Sequence, residues 1–201
     1  MTLKILGITG PIGCGKSTVS AMTRELGAID VIDADAVVHE LMGANTELTR
    51  EVGSAFGTHV IAADGSVDRA ALGGLVFDDP ADLIRLENLV HPRVRDRLAE
   101  VVRFHRETGA NGILTLEAIR LLDSPVREWA DTIWMVTCKA ETQRARLRDL
   151  RGYSEGEADR RIDATPSFAA EGTVTIIVND GPLEDLRATV ASAWQSVVGS
   201  R

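Results

Sequence analysis

The 201-residue sequence predicts an α/β fold: a five-stranded parallel sheet with helices on both faces, extended by a helical substrate-binding insertion and a helical lid. Three observations lead there. Apolar runs at 3–9, 28–32, 112–116, 132–137 and 174–178 are short enough for buried strands, and stretches of helical spacing separate them. The first run passes through a glycine-rich loop into a helical stretch and then the second run, a unit whose crossover should be right-handed. Residues 36–110 then carry almost no strand signal, too long a gap for an ordinary connection.

The first helix should run over 17–26, ended by Gly27, and the second strand should lead to Asp33-Ala34-Asp35. The carboxyl end of a strand is where open α/β sheets hold their ligands. Within the insertion, helices are expected at 36–42, 46–56, 68–77, 81–90 and 92–107, the last with Pro92 in its first turn. The strand at 112–116 closes on Glu117, and 120–129 reads as helix with a break at Ser124-Pro125. Helices at 140–151 and 154–165 follow the fourth strand. After the fifth, the turn Asn179-Asp180-Gly181 precedes a closing helix that Pro182 starts and that runs to about 198. One kinase-sized domain results, with its core at 1–43, 111–139 and 173–201, a helical subdomain at 44–110 and a lid at 140–172.

Composition narrows the partners. With 44% apolar and 26% charged residues the chain suits a globular protein. Its net charge of −8 argues against nucleic acid, which needs clustered Lys and Arg, so an anionic ligand requires a local positive site. Cys14 and Cys138 make neither a disulfide framework nor a metal cluster, and a reducing cytoplasm is the expected compartment. Met1-Thr2-Leu3-Lys4 has no secretory pattern, and no apolar run approaches the ~20 residues of a membrane span. A small-molecule substrate and a monomer are expected. Trp129, Trp134 and Trp194 fit helix and strand patterns as core residues.

Gly10-Pro11-Ile12-Gly13-Cys14-Gly15-Lys16-Ser17, followed by Thr18, has the G-x-x-x-x-G-K-[ST] spacing of a phosphate-binding P-loop. Backbone lacking Cβ atoms can curl until successive amides point at phosphate oxygens. Lys16 would reach the β and γ phosphates, Ser17 would put its hydroxyl on Mg2+, and the helix N-terminus would add roughly half a positive charge. A plain turn accounts for Gly10 and Gly15 but not for Lys16-Ser17-Thr18. ATP and Mg2+ are the expected cofactors.

The other motifs select the reaction. None of Asn45, Asn88, Asn111 and Asn179 begins the N-K-x-D stretch of a GTPase, no L-S-G-G-Q stretch marks a transporter ATPase, and the chain is short for a motor. Phosphoryl transfer to a small acceptor fits best, and it needs a carboxylate to take the acceptor's proton. Asp33 and Asp35 stand at the right strand end, although a helix starting at Ala36 would make Asp35 its N-cap. Glu117 resembles a Walker B acid and equally an ordinary polar strand end. Arg144, Arg146, Arg148, Arg151, Arg160 and Arg161 suit a lid that brings guanidinium groups to the transferring phosphate and excludes water. Interleaved with Asp149, Glu155, Glu157 and Asp159, most of them also suit a solvated helical hairpin. His91-Pro92 reads on its own as a helix start.

Together these residues resemble the dephospho-coenzyme A kinase family. The likeness runs from Gly7-Ile8-Thr9 through the P-loop, Val31-Ile32-Asp33-Ala34-Asp35, Phe56-Gly57, Asp64-Gly65, Val67-Asp68-Arg69, Leu72, Val76-Phe77 and Leu89-Val90-His91-Pro92. It continues through Gln143, Arg146-Leu147, Ser154, Glu157-Ala158, Arg161-Ile162 and Asn179-Asp180-Gly181. The resemblance implies ATP-dependent phosphorylation of the ribose 3′-hydroxyl of dephospho-coenzyme A, the last step of coenzyme A synthesis. Other readings are a P-loop kinase for another hydroxyl-bearing metabolite and a nucleotide-binding protein with little catalysis. The resemblance implies Asp35 as general base, with Lys16, Arg146 and Arg151 as its catalytic companions. Residues 10–18 and Asn179 would hold the nucleotide, and Thr9, Asp33, Asp35, His39, Phe56, His91 and Glu117 the acceptor, with 44–110 as coenzyme A domain. The chain departs from the family pattern at Ala118-Ile119, Leu150, Thr165 and Thr173-Val174.

Overall fold

The computed structural model describes residues 2–164 and 174–199; the departures at Thr165 and Thr173 and the lid segment 165–172 lie outside the described residues. Contact density divides the chain into two units, one of residues 1–33 and 109–201 and one of residues 34–108.

In the first unit, strands β1 (Lys4–Thr9), β2 (Asp30–Asp33), β3 (Ile113–Glu117), β4 (Thr132–Thr137) and β5 (Val174–Val178) form one sheet of order β2-β3-β1-β4-β5 with every pair parallel. Burial follows that order. All five residues of β3 are buried and only Lys4 of β1 is not, whereas on the edge strand β5 Ile176 and Val178 stay exposed. Helix α1 (Lys16–Glu25) buries Val19 and Met22 in a core with Leu6, Ile8, Trp134, Val136, Ile177 and Trp194, as expected for two of the three tryptophans. Two buried threonines also join α1 to β3: the Thr23 hydroxyl donates to the Ser20 carbonyl at 2.7 Å, so Thr115, 2.9 Å away, donates to Thr23. Between β3 and β4 only a 3-10 turn at Pro125–Trp129 forms where a helix over 120–129 was expected; Ser124 caps it, its Oγ accepting from the Val126 amide. Helices α6 (Ala140–Arg151), α7 (Glu155–Asp163) and α8 (Leu183–Gly199) complete this unit.

The second unit is helical: α2 (Ala34–Leu41), α3 (Glu47–Phe56), α4 (Arg69–Asp78) and α5 (Pro80–Glu107). It takes in α2 as well as the helices of the insertion. Side-chain oxygens of Thr46, Asp68 and Asp79 accept first-turn amides of α3, α4 and α5, satisfying donors that helix starts leave open. The two helices expected at 81–90 and 92–107 are one helix of 28 residues with Pro92 inside it. Proline there removes one intrahelical hydrogen bond. Burial of Val90 before it and of Leu98 and Val102 after it keeps both halves packed, which offsets that loss. Among the described residues no helix is long and apolar enough to cross a membrane.

Candidate active site

The P-loop residues belong to the first unit, and the loop's shape starts with its glycines. Gly10, Gly13 and Gly15 all have φ between 78° and 138°, where side chains are strained. Space forbids them as well: a Cβ on Gly10 would sit 2.1 Å from the Val136 carbonyl oxygen, and one on Gly15 would sit 2.4 Å from Asn179 Nδ2. The loop is pressed against β4 on one side and the β5 end on the other. Lys16 is 7% exposed and its Nζ donates to the carbonyls of Gly10 and Pro11, at 3.0 and 3.2 Å. Its charge is held where the loop curls. Ser17 and Thr18 are exposed at the start of α1.

A set of side-chain amides and one guanidinium fixes the loop's outer carbonyls. Asn179, 6% exposed just beyond β5, donates from Nδ2 to the Cys14 carbonyl at 2.8 Å. Arg146 of α6 donates to that same carbonyl at 3.4 Å and to Asn179 Oδ1 at 3.2 Å. Gln143, one turn earlier and buried, donates to the Ile12 carbonyl at 2.8 Å. With the carbonyls of Ile12 and Cys14 so engaged, and the Cys14 amide bonded to the Pro11 carbonyl at 3.4 Å, the loop's backbone shape is braced from α6 and from the end of β5. The structure thus brings Arg146 and Asn179 to the loop. Gln143 enters the sequence reading only through the family resemblance, beside Arg146 and Leu147, and its contact with the loop is what the structure adds; the spacing puts all three on one helical face.

The remaining arginines of this region separate by their partners. Arg144 pairs with Asp159 at 2.7 Å, Arg161 lies over the Tyr153 ring at 4.5 Å, and Arg151 is exposed as the last residue of α6. Asp180, beside Asn179, accepts the Lys139 amide at 2.7 Å, and that bond holds its carboxyl below the usual carboxylate range.

At the carboxyl ends of the central strands, Glu117 is 7% exposed and stands in register with Ile8 of β1 and Asp33 of β2. Thr9 is fully buried and its hydroxyl donates to the Ile119 carbonyl at 3.1 Å, which anchors the Ala118-Ile119 departure. Helix α2 begins at Ala34, two residues sooner than expected, so Asp35 lies inside its first turn with an exposed side chain and is not its N-cap. The cysteines also differ from expectation. Cys14 and Cys138 form a disulfide with Cα atoms 5.2 Å apart, because the sheet sets the loop after β1 beside the end of β4 across 124 residues of sequence.

In the second unit a cavity of about 250 Å3 is lined by Val38, Met42, Leu72, Val76 and Val90 together with Arg69, Glu87 and His91. Arg69 Nη1 is 3.3 Å from His39 Nδ1. Phe56 is buried in the unit's apolar cluster with the Arg85 guanidinium over its ring at 5.3 Å. His39, Arg69 and His91 thus gather around α2, α4 and α5, while Phe56 belongs to the packing beneath Arg85.

The sequence profile of the dephospho-CoA kinase family matches residues 4–185. The chain belongs to that family. It is 43% identical over 199 residues to the dephospho-CoA kinase of Symbiobacterium thermophilum, covering 98% of this chain and 82% of that protein. It is 36% identical to that of Geobacter sulfurreducens, covering 96% and 98%. Among solved structures, a Thermus thermophilus protein superposes with a TM-score of 0.80 at 30% identity, covering 99% of this chain and all of that one. The dephospho-CoA kinase of Campylobacter jejuni gives 0.63 at 21% identity, covering 97% of each chain, and bears on the fold alone. The family match spans the P-loop, both units and Asn179.

Proposed function

We propose that this chain transfers the γ-phosphoryl group of ATP to the ribose 3′-hydroxyl of dephospho-coenzyme A, giving coenzyme A and ADP. The observation that carries this reading is the family match over 4–185, which takes in a P-loop whose carbonyls accept from Gln143, Arg146 and Asn179. The loop amides and Lys16 hold the triphosphate, and Asn179 borders the adenine side. Residues 44–110 hold the acceptor, with His39, Arg69 and His91 as its polar contacts, and helices α6 and α7 form the described part of the lid over the phosphates.

In the transfer, Asp35 takes the proton of the 3′-hydroxyl as its oxygen bonds to the γ-phosphorus and the bond to the β-γ bridging oxygen breaks. Arg146 and Arg151 offer fork-shaped donors to the charge that builds on the phosphoryl oxygens. The exposed Ser17 hydroxyl and the buried Glu117 carboxylate are hard oxygen donors of the kind that suits Mg2+, which when bound would neutralise phosphate charge.

Purified protein with ATP, Mg2+ and dephospho-coenzyme A should yield coenzyme A and ADP in equal amounts. Turnover only with other hydroxyl-bearing metabolites would replace the acceptor, and tight ATP binding without transfer would replace the reaction. Asp35→Asn should lower kcat by about 10²- to 10⁴-fold, roughly 3 to 5 kcal/mol of barrier, with ATP affinity unchanged. An undiminished kcat would remove Asp35 from the role of base.

A further inference from the structure

Cys14 sits in the middle of the phosphate loop, yet its side chain is fully buried and packs into the core with Val19, Trp134 and Val136. The disulfide to Cys138 therefore leaves the loop from a side chain buried in the core. It adds a covalent tie between the loop and the chain after β4, the strand whose Val136 backbone already limits Gly10. The Cys14 carbonyl is also the shared acceptor of Asn179 and Arg146. A bond at this residue thus bears on the whole loop.

We infer that Cys14 and Cys138 are a reversible thiol–disulfide site for small-molecule disulfides and thiols, and that its oxidised state stiffens the phosphate loop and tightens nucleotide binding. The chemistry is asymmetric. Cys138 is half-buried where Cys14 is closed off, so Cys138 is the sulfur that a small disulfide or thiol can reach. The Cys138 thiolate attacks one sulfur of a small disulfide RSSR, forming a mixed disulfide and expelling RS⁻. The Cys14 thiolate then attacks the Cys138 sulfur, forms the internal bond and expels a second RS⁻. Two protein thiols are oxidised, RSSR is reduced to two RSH, and the two protons released by the protein end on those products. The reverse sequence opens the bond. In a reducing cytoplasm a disulfide of this kind is transient and responsive rather than a permanent staple.

Binding should tighten because a ligand then has fewer loop states to exclude. This inference rests on the nucleotide-binding reading of the loop but not on the acceptor. Full-length protein would be equilibrated with oxidised glutathione or with dithiothreitol, then examined by intact mass, thiol alkylation, thermal unfolding and ATP binding. Oxidised glutathione should remove both thiols with the loss of two hydrogen masses, raise Tm by about 5 to 15 °C and lower the Kd for ATP about three- to tenfold. Cys138→Ser should respond to neither reagent. The inference is overturned if both thiols stay alkylatable, if only glutathione adducts form, or if Tm and Kd are the same in both states. Should Cys138→Ser not fold, the two states of the unaltered chain still decide. Absence of ATP binding in both states would instead count against the loop reading, with mass and Tm still testing the thiol pair.

Discussion

Both units have apolar cores, but they differ in how far buried polar side chains brace their loops; in the second the buried Thr49 hydroxyl, which donates to the Gly43 carbonyl at 2.7 Å, is the counterpart of the first unit's several. In the first, buried polar side chains reach backbone carbonyls: Lys16 to Gly10 and Pro11, Gln143 to Ile12, Asn179 to Cys14. In the second, apolar residues Leu48, Val52, Val60, Leu72 and Val90 form the interior, and the polar pairs lie largely outside it, as with Arg97 and Glu40. A buried polar contact fixes a backbone shape, because an orphaned carbonyl there costs its full desolvation. An apolar cluster fixes volume and tolerates variation in detail. The unit that carries the P-loop adds several buried polar braces to its apolar core, and the unit that carries the cavity relies more on its apolar cluster.

The largest effect expected from that contrast is on the helical unit. Leu48 is 1% exposed, and Leu48→Ala should lower stability by about 2 to 5 kcal/mol through lost burial and the cavity left behind. Urea unfolding measures it, and ATP affinity of the folded protein should be unchanged. A shift under 1 kcal/mol would mean that this interior is loosely packed, and the contrast would lose its second half.

Gln143→Leu tests the first half with a smaller change. Leucine keeps most of the volume but withdraws the donor from the Ile12 carbonyl, an exchange worth about 1 to 3 kcal/mol. The expected readout is a Kd for ATP raised about tenfold, seen by calorimetry, with kcat at saturating ATP little altered. An unchanged Kd would show that the loop keeps its form without α6.

These differences in construction explain what could be read from sequence. The strands, the P-loop and the starts of the helices near Thr46 and Asp68 are local patterns, and each is legible within a window of about ten residues, although the structure makes Thr46 and Asp68 caps just outside their helices. The disulfide depends on the β1–β4 adjacency, which no local pattern carries. Pro92 read as a helix start because proline favours that position, whereas packing on both sides of it carries α5 through. Asp35 moved from cap to first turn because the end of β2 runs directly into α2, leaving no residue between Asp33 and Ala34. At the site, Lys16 and Asn179 were legible, while Gln143 acts through a carbonyl far away in sequence.

The smallest effect belongs to the exposed ion pairs of the helical unit. Arg97 Nε lies 3.4 Å from Glu40 and its Nη1 lies 3.4 Å from Glu100, with the arginine side chain 40% exposed and the glutamates more so. Water competes for each of these charges, and ordering three long side chains costs entropy that offsets much of the attraction. Arg97→Ala should therefore change stability by less than about 1 kcal/mol, and the change should shrink further in high salt. If urea unfolding instead gave a loss as large as that of Leu48→Ala, the α2–α5 pairing would be held by charge, and the helical unit would depend on polar contacts as the phosphate loop does.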